Sequence, residues 1–147
     1  MMLADLVIDR LKEKVDSFVG RVEGVMDLSA MISTKRLPTN APAAWVIWLG
    51  DNADASGTAT FLRQAVDETV AVIVIDRVAG DLVGSKVQGK LDALREDVKR
   101  HLVGWQFDPE AYPLEYRRGR FVGLVQSFAL LQLDFACRSY IRQQHQE

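Results

Sequence analysis

The stretch LVGSKVQGKLDALREDVKRHLVGW, from Leu82 to Trp105, decides how the rest of this chain must fold. Its apolar residues Val83, Val87, Leu91, Leu94, Val98 and Leu102 are spaced by four, four, three, four and four positions. That spacing holds them on one side of a 3.6-residue helix. Lys86, Lys90, Asp92, Arg95, Glu96, Lys99 and Arg100 fall on the opposite side and belong in water. Gly104 is placed to end the helix in a left-handed cap. The pattern predicts a helix over 82–103, with Asp81 or Ser85 as its N-cap. At ~1.5 Å per residue such a helix runs about 30 Å, the width of a small domain. Its single apolar stripe needs a sheet or a second helix beneath it.

A second helix is predicted over 1–18. Leu3, Leu6, Val7, Leu11, Val15 and Phe18 repeat at helical spacing, with Gly20 as the stop. Between the two helices, Arg21–Met26 reads as a brief strand, Asp27 as the cap of a short helical turn through Ile32, and Thr34–Pro42 as a loop. Residues 43–78 read as a β-hairpin. The run Ala43–Leu49 is a buried strand, Gly50–Thr60 is a polar mobile loop, and Leu62 to Val74 alternates before becoming wholly apolar.

After Trp105, Phe107–Pro113 is a connection, and residues 114–142 read as strands. Leu114–Tyr116 and Phe121–Val125 are short strands separated by a basic turn at Arg117, Arg118, Gly119 and Arg120. Ala129, Leu131, Leu133, Phe135 and Cys137 then give a long strand with one dry face. Consecutive strands without an intervening helix pair antiparallel. The expected architecture is therefore α+β: two main helices on a mixed or mainly antiparallel sheet, in one domain spanning 1–147.

The totals narrow the class. With 147 residues, 48% hydrophobic and 26% charged, the chain has the size and composition of one globular domain. A net charge of −2 gives no electrostatic reason for specific nucleic-acid binding. Cys137 is the single cysteine, so no internal disulfide framework is expected and a cytosolic origin fits. Asp5, Asp9 and Arg10 interrupt the first residues, unlike a signal peptide, and apolar runs such as Val70–Ile75 are too short to span a bilayer.

Chemical motifs are weak throughout. His101 and His145 do not have metal-ligand spacing with Cys137, which alternates with Phe135 as a small hydrophobe would. Asp51, Asn52 and Asp54 resemble the opening of a calcium loop, but Leu62 stands where the closing glutamate belongs. Gly80, Gly84 and Gly89 match neither the dinucleotide nor the Walker pattern, so helix-start flexibility or close helix packing explains them better. No catalytic residue, metal or cofactor is expected. An enzyme or small-ligand binder would need converging polar groups that this sequence does not supply. Trp45 and Trp48 are an odd number of residues apart and must point to opposite faces of their strand, one of them toward a partner subunit or a second covered sheet face.

Several strings occur together in a fixed order: Val7-Ile8-Asp9-Arg10-Leu11, Arg21-Val22-Glu23-Gly24, Pro42-Ala43-Ala44-Trp45-Val46 and the strand Val70–Ile75. They continue with Leu91-Asp92-Ala93-Leu94-Arg95 leading to Leu102-Val103-Gly104-Trp105, then Pro113-Leu114-Glu115-Tyr116 and Asp134-Phe135. In this order the chain resembles the bacteriophage tail terminator proteins, specifically those of Mu-like phages and prophages. The resemblance implies a structural protein of the virion tail, made in the host cytoplasm, that forms a hexameric ring on the end of the tail tube. Its implied partners are itself, the tail tube protein and the head-tail connector protein, with no membrane. A head-tail connector or neck protein is the alternative of similar size. A ring subunit must offer two unlike surfaces that meet head to tail. The expected contact residues are Trp48, Asp51, Asn52, Asp54 and Arg63 around the hairpin loop, and Arg117, Arg118 and Arg120 at the basic turn.

Overall fold

Two long antiparallel strands, β3 (Arg63–Arg77) and β5 (Phe128–Arg142), form the spine of the molecule, paired from Arg63↔Arg142 to Arg77↔Phe128. The computed structural model describes residues 2–55, 62–78 and 85–142, the side chains of Ser85, Val87 and Arg142 left aside. In chain order the remaining elements are α1 (Leu3–Lys14), β1 (Val22–Gly24), α2 (Leu28–Ser33), β2 (Ala43–Ala53), α3 (Ser85–Leu102) and β4 (Glu115–Val125). The five strands lie in the order β1-β2-β3-β5-β4, with β1 parallel to β2 and the other pairs antiparallel. This is the expected α+β arrangement on a mixed sheet.

Helices α1 and α3 cover one face. Leu3, Val7 and Leu11 of α1 and Leu91, Leu94, Val98 and Leu102 of α3 pack with Val46, Val72, Leu133 and Phe135 of the sheet. Leu91, Leu94, Val98 and Leu102 of the stripe that predicted α3 are the surface it buries; Val83, the cap candidate Asp81 and the side chain of Val87 lie outside the described residues. The two helices are also joined through Arg10, whose Nε donates to the His101 carbonyl at 3.0 Å and whose guanidinium lies 5.0 Å from the Trp105 ring centroid. Gly104 ends α3 at φ +80 and donates its N–H to the Leu114 carbonyl at 2.8 Å. The left-handed cap thus also sends the chain toward β4.

The other face is covered by the short elements. Trp45, Ile47, Ile73, Ile75, Phe128 and Leu130 form a second apolar layer beneath Leu28, Met31 and Ile32 of α2 and Leu37 of the loop after it. Asp27 caps α2 as expected, accepting the Ala30 N–H at 3.3 Å. Trp45 and Trp48 do take opposite faces: Trp45 is in this second core, and Trp48 is exposed beyond the helices.

The structure corrects four expectations. The first helix stops at Lys14, and a 3-10 turn at Asp16–Phe18 completes the segment, with left-handed backbone beginning at Val19 rather than at Gly20 alone. The loop expected from Gly50 is strand as far as Ala53, because Asp51, Asn52 and Ala53 pair with Glu68, Asp67 and Val66. Pairing on one side holds an extended backbone whatever the side chains; residues 56–60 of that loop lie outside the described residues. The two short strands and the basic turn are one strand, β4, and the real turn lies at Gln126–Ser127. Register shifts at Tyr116/Arg118 and Phe121/Gly123 break its alternation, so the sequence pattern looks interrupted where the backbone is not. In β5 the supposedly wet face also carries buried residues, Leu130, Gln132 and Asp134.

Candidate functional site

Past Trp48, β2 and β3 leave the helices behind and project with their polar residues in water. The indole N–H of Trp48, 42% exposed, donates to the Glu68 carboxylate at 2.9 Å. Gly50, at φ +121, occupies the register shift that lets β2 continue. Asp51 then stands opposite Glu68 and Asn52 opposite Asp67. Neighbouring strand residues alternate faces, so Asp51 and Asn52 diverge instead of converging as the start of a calcium loop would require. The Asp54 backbone is tied to β3, its N–H donating to Ala65 at 2.8 Å and its carbonyl accepting from Gln64 at 3.0 Å. Arg63, at the start of β3, stacks 4.3 Å over the Tyr140 ring.

Asp67 connects this projection with β4. Its carboxylate accepts two hydrogen bonds from Arg138 of β5, both at 3.1 Å, and Arg117 approaches it at 3.9 Å while also facing Glu115 at 3.4 Å. The Arg138 hydrogen bonds, with the charges of Arg138 and Arg117, hold the Asp67 carboxyl below the usual carboxylate range against the opposing effect of burial.

Further along β4, Arg118 donates through Nε to buried Asp134 at 2.8 Å. Gln132 donates to the other oxygen of Asp134 at 2.9 Å, and Arg120 donates to the side-chain Oε1 of Gln132 at 3.2 Å. On the helix face of the same strand, Tyr116 stands edge-on to Phe135 under Lys99, whose ammonium is 4.5 Å from the ring centroid. A Cβ at Gly119 would lie 2.5 Å from the Tyr116 hydroxyl and 3.1 Å from a Leu133 methyl, so any larger residue there has to displace the phenol.

The eight expected contact residues therefore occupy two places. Trp48, Asp51, Asn52, Asp54 and Arg63 lie on the β2–β3 projection; Arg117, Arg118 and Arg120 lie along the edge strand. Arg117 reaches across, through Asp67. Sequence reading missed Asp67, Glu68, Gln132, Asp134 and Arg138 as partners. The available signal was Gln132 and Asp134 within an otherwise apolar strand: buried polar groups demand partners, and neighbouring arginines supply them.

The competing chemistries fare as follows. Cys137 is buried, and burial, followed by the nearby carboxylates of Glu68 and Asp67, pushes its thiol up to about 11, away from the reactive range. His101 faces Asp97 at 3.5 Å on the partly exposed side of α3; His145 lies outside the described residues. Gly89 is exposed and an added Cβ would meet nothing, which removes the close-packing explanation for it; Gly80 and Gly84 lie outside the described residues. A hollow beside α3 gathers Asp76, Arg77, Lys90, Asp97 and Arg100. There Arg100 pairs with Asp97 at 3.3 Å and Arg77 donates to the Thr39 carbonyl at 3.1 Å. Among the described residues no group of three or more His, Cys, Asp or Glu side chains is placed to hold a metal ion.

Fold and surface together define a small α+β protein with charged residues on the outer sides of its helices and along its sheet edges. The family described as "Phage tail terminator protein" matches residues 1–146, and the chain belongs to it. It is therefore a structural protein of a phage tail. A solved chain from the "Virion of native gene transfer agent (GTA) particle" shares the fold, at 16% identity over 95% of both chains with a TM-score of 0.61. A second solved chain, 12% identical over the full length of both, superimposes with a TM-score of only 0.37 and carries no argument. No curated protein matches.

Proposed function

We propose that this chain caps the tail tube as a ring of six copies, stops the growth of the tube and presents the surface to which the head connector binds. The observation that carries this reading is the family match along residues 1–146. The geometry supports it. A ring needs two unlike surfaces on each subunit, and the sheet has a projecting end with Trp48, Asp51, Asn52 and Asp54 and, on its far side, an edge strand with Arg117, Arg118 and Arg120. The finer assignment to the Mu-like group rests on the ordered strings quoted from the sequence. The proposed partners are further copies, the tail tube protein and the head-tail connector protein.

Polymerising tail tube protein with and without this chain tests the reading. Tube lengths measured by electron microscopy should stop increasing once the chain is added, with density at one tube end. Tubes that lengthen equally in its presence would refute the capping role.

A further inference from the structure

We propose that neighbouring copies join edge to edge: the open outer side of β2 from Asp51 to Asp54 in one copy pairs with the open outer side of β4 from Arg118 to Phe121 in the next. This rests on the ring reading and specifies the contact within it. β1 covers β2 only from Ala44 to Val46, leaving the later part of β2 without a described neighbour on that side. β4 closes the opposite side of the sheet, so its outer backbone groups likewise have no described strand partner. Unpaired strand edges are templates for a further strand. Because these two edges are different surfaces, their union is head to tail and extends from copy to copy until it closes as a ring.

Three properties match the edges to each other. The first is direction: β2, β3, β5 and β4 alternate, so β4 runs opposite to β2 and copies with aligned strands meet antiparallel. The second is length. The register shifts in β4 leave Arg118–Phe121 as its regular central stretch, and the shift at Trp48/Gly50 begins a regular stretch of β2 that runs from Asp51 through the Asp54–Ala65 hydrogen bond. The third is charge. Among the described residues Asp54 stands in no ion pair and its charge acts on Arg138 only coulombically, whereas the described contact of Arg120 is the neutral side-chain amide of Gln132. Asp54 and Arg120 share the α2 face of the sheet, so acid faces base there, and exposed Leu49 and Trp48 on one side face exposed Phe121 on the other.

Cysteine crosslinking reads the contact directly. Asn52 and Arg120 both lie on the α2 face of the sheet, near the middle of their stretches. Under mild oxidation the double variant Asn52→Cys/Arg120→Cys should give a ladder of disulfide-linked oligomers; each single variant should not, and buried Cys137 stays silent. A charge exchange gives the second readout, on the purified chain sedimented with and without tail tubes. Asp54→Lys and Arg120→Glu should each weaken assembly ~10-fold or more, and the double variant should recover most of the loss. Wild-type assembly unaffected by either exchange, or a ladder in the single variants, would overturn the edge pairing and leave the ring standing. A wild-type chain that assembles neither alone nor on tubes would overturn the ring itself.

Discussion

β4 and β5 are hydrogen-bonded to each other from Glu115↔Ala136 to Val125↔Phe128, yet they are opposite kinds of strand. From Phe128 to Cys137, β5 is buried at every position except half-buried Leu131, with β3 on its other side and apolar layers on both faces. β4 is mostly exposed, carries three arginines and is interrupted by two register shifts. The difference teaches where each property of the molecule resides. Burial in β5 supplies stability, and the irregular, charged edge is the side on which the proposed contact between copies falls. Bulges and charges also keep such an edge from pairing at random.

Stability measurements should separate the two strands. Replacing fully buried Phe135 by Ala should lower unfolding stability by ~3–5 kcal/mol in urea titrations. Phe121→Ser on β4, 57% exposed, should stay within about 0.5 kcal/mol. Equal losses at the two sites would erase the distinction.

The edge strand is not uniformly tolerant, and Gly119 marks the exception. Gly119→Ala should cost ~1–3 kcal/mol, because the new methyl group meets the Tyr116 hydroxyl at 2.5 Å. Adding Tyr116→Phe removes the clashing oxygen and should restore most of the loss. Failure of this rescue would mean that the phenol is not the constraint.

The ion pair that ties β3, β5 and β4 together should respond to acid. The Asp67 carboxyl is depressed in the fold, so the folded state holds this proton less tightly than the unfolded chain. Its stabilisation is present above the unfolded value of about 3.9 and is lost as pH falls through the folded value. Asp67→Asn should flatten the acid limb of the stability-pH curve while leaving the curve near pH 7 almost parallel to wild type. A variant with an unchanged acid limb would show that the Arg138 hydrogen bonds do not persist in solution. One substitution should give a gain: Gly89→Ala, with open space around the added methyl, should stabilise by about 1 kcal/mol through helix propensity. A loss there would point to packing on that side of α3.

What the sequence disclosed follows the same division. α3, the hairpin of β2 and β3, and β5 were legible because burial imposes a period on their apolar residues. β4 was not, since each register shift moves the alternation by one residue and makes a continuous strand read as strand, turn and strand. Asp51–Ala53 was hidden for a related reason: the backbone pairs while the side chains remain in water. Arg117, Arg118 and Arg120 read as a basic turn in the sequence but lie within the strand β4. Their partners are distant in the chain, Asp134 lying 16 residues from Arg118, and the Asp67–Arg138 pair spans 71, so no local pattern announces them. Local spacing finds a stripe; only the sheet order tells which stripes meet.

Backbone amide exchange, compared between the free chain and the chain assembled on tail tubes, tests the central claim most directly. The account predicts that amides in Asp51–Asp54 and Arg118–Phe121 become protected on assembly, while those of β5 are slow in both states. Protection gained over α1 and α3, with both edges exchanging as fast as before, would contradict it.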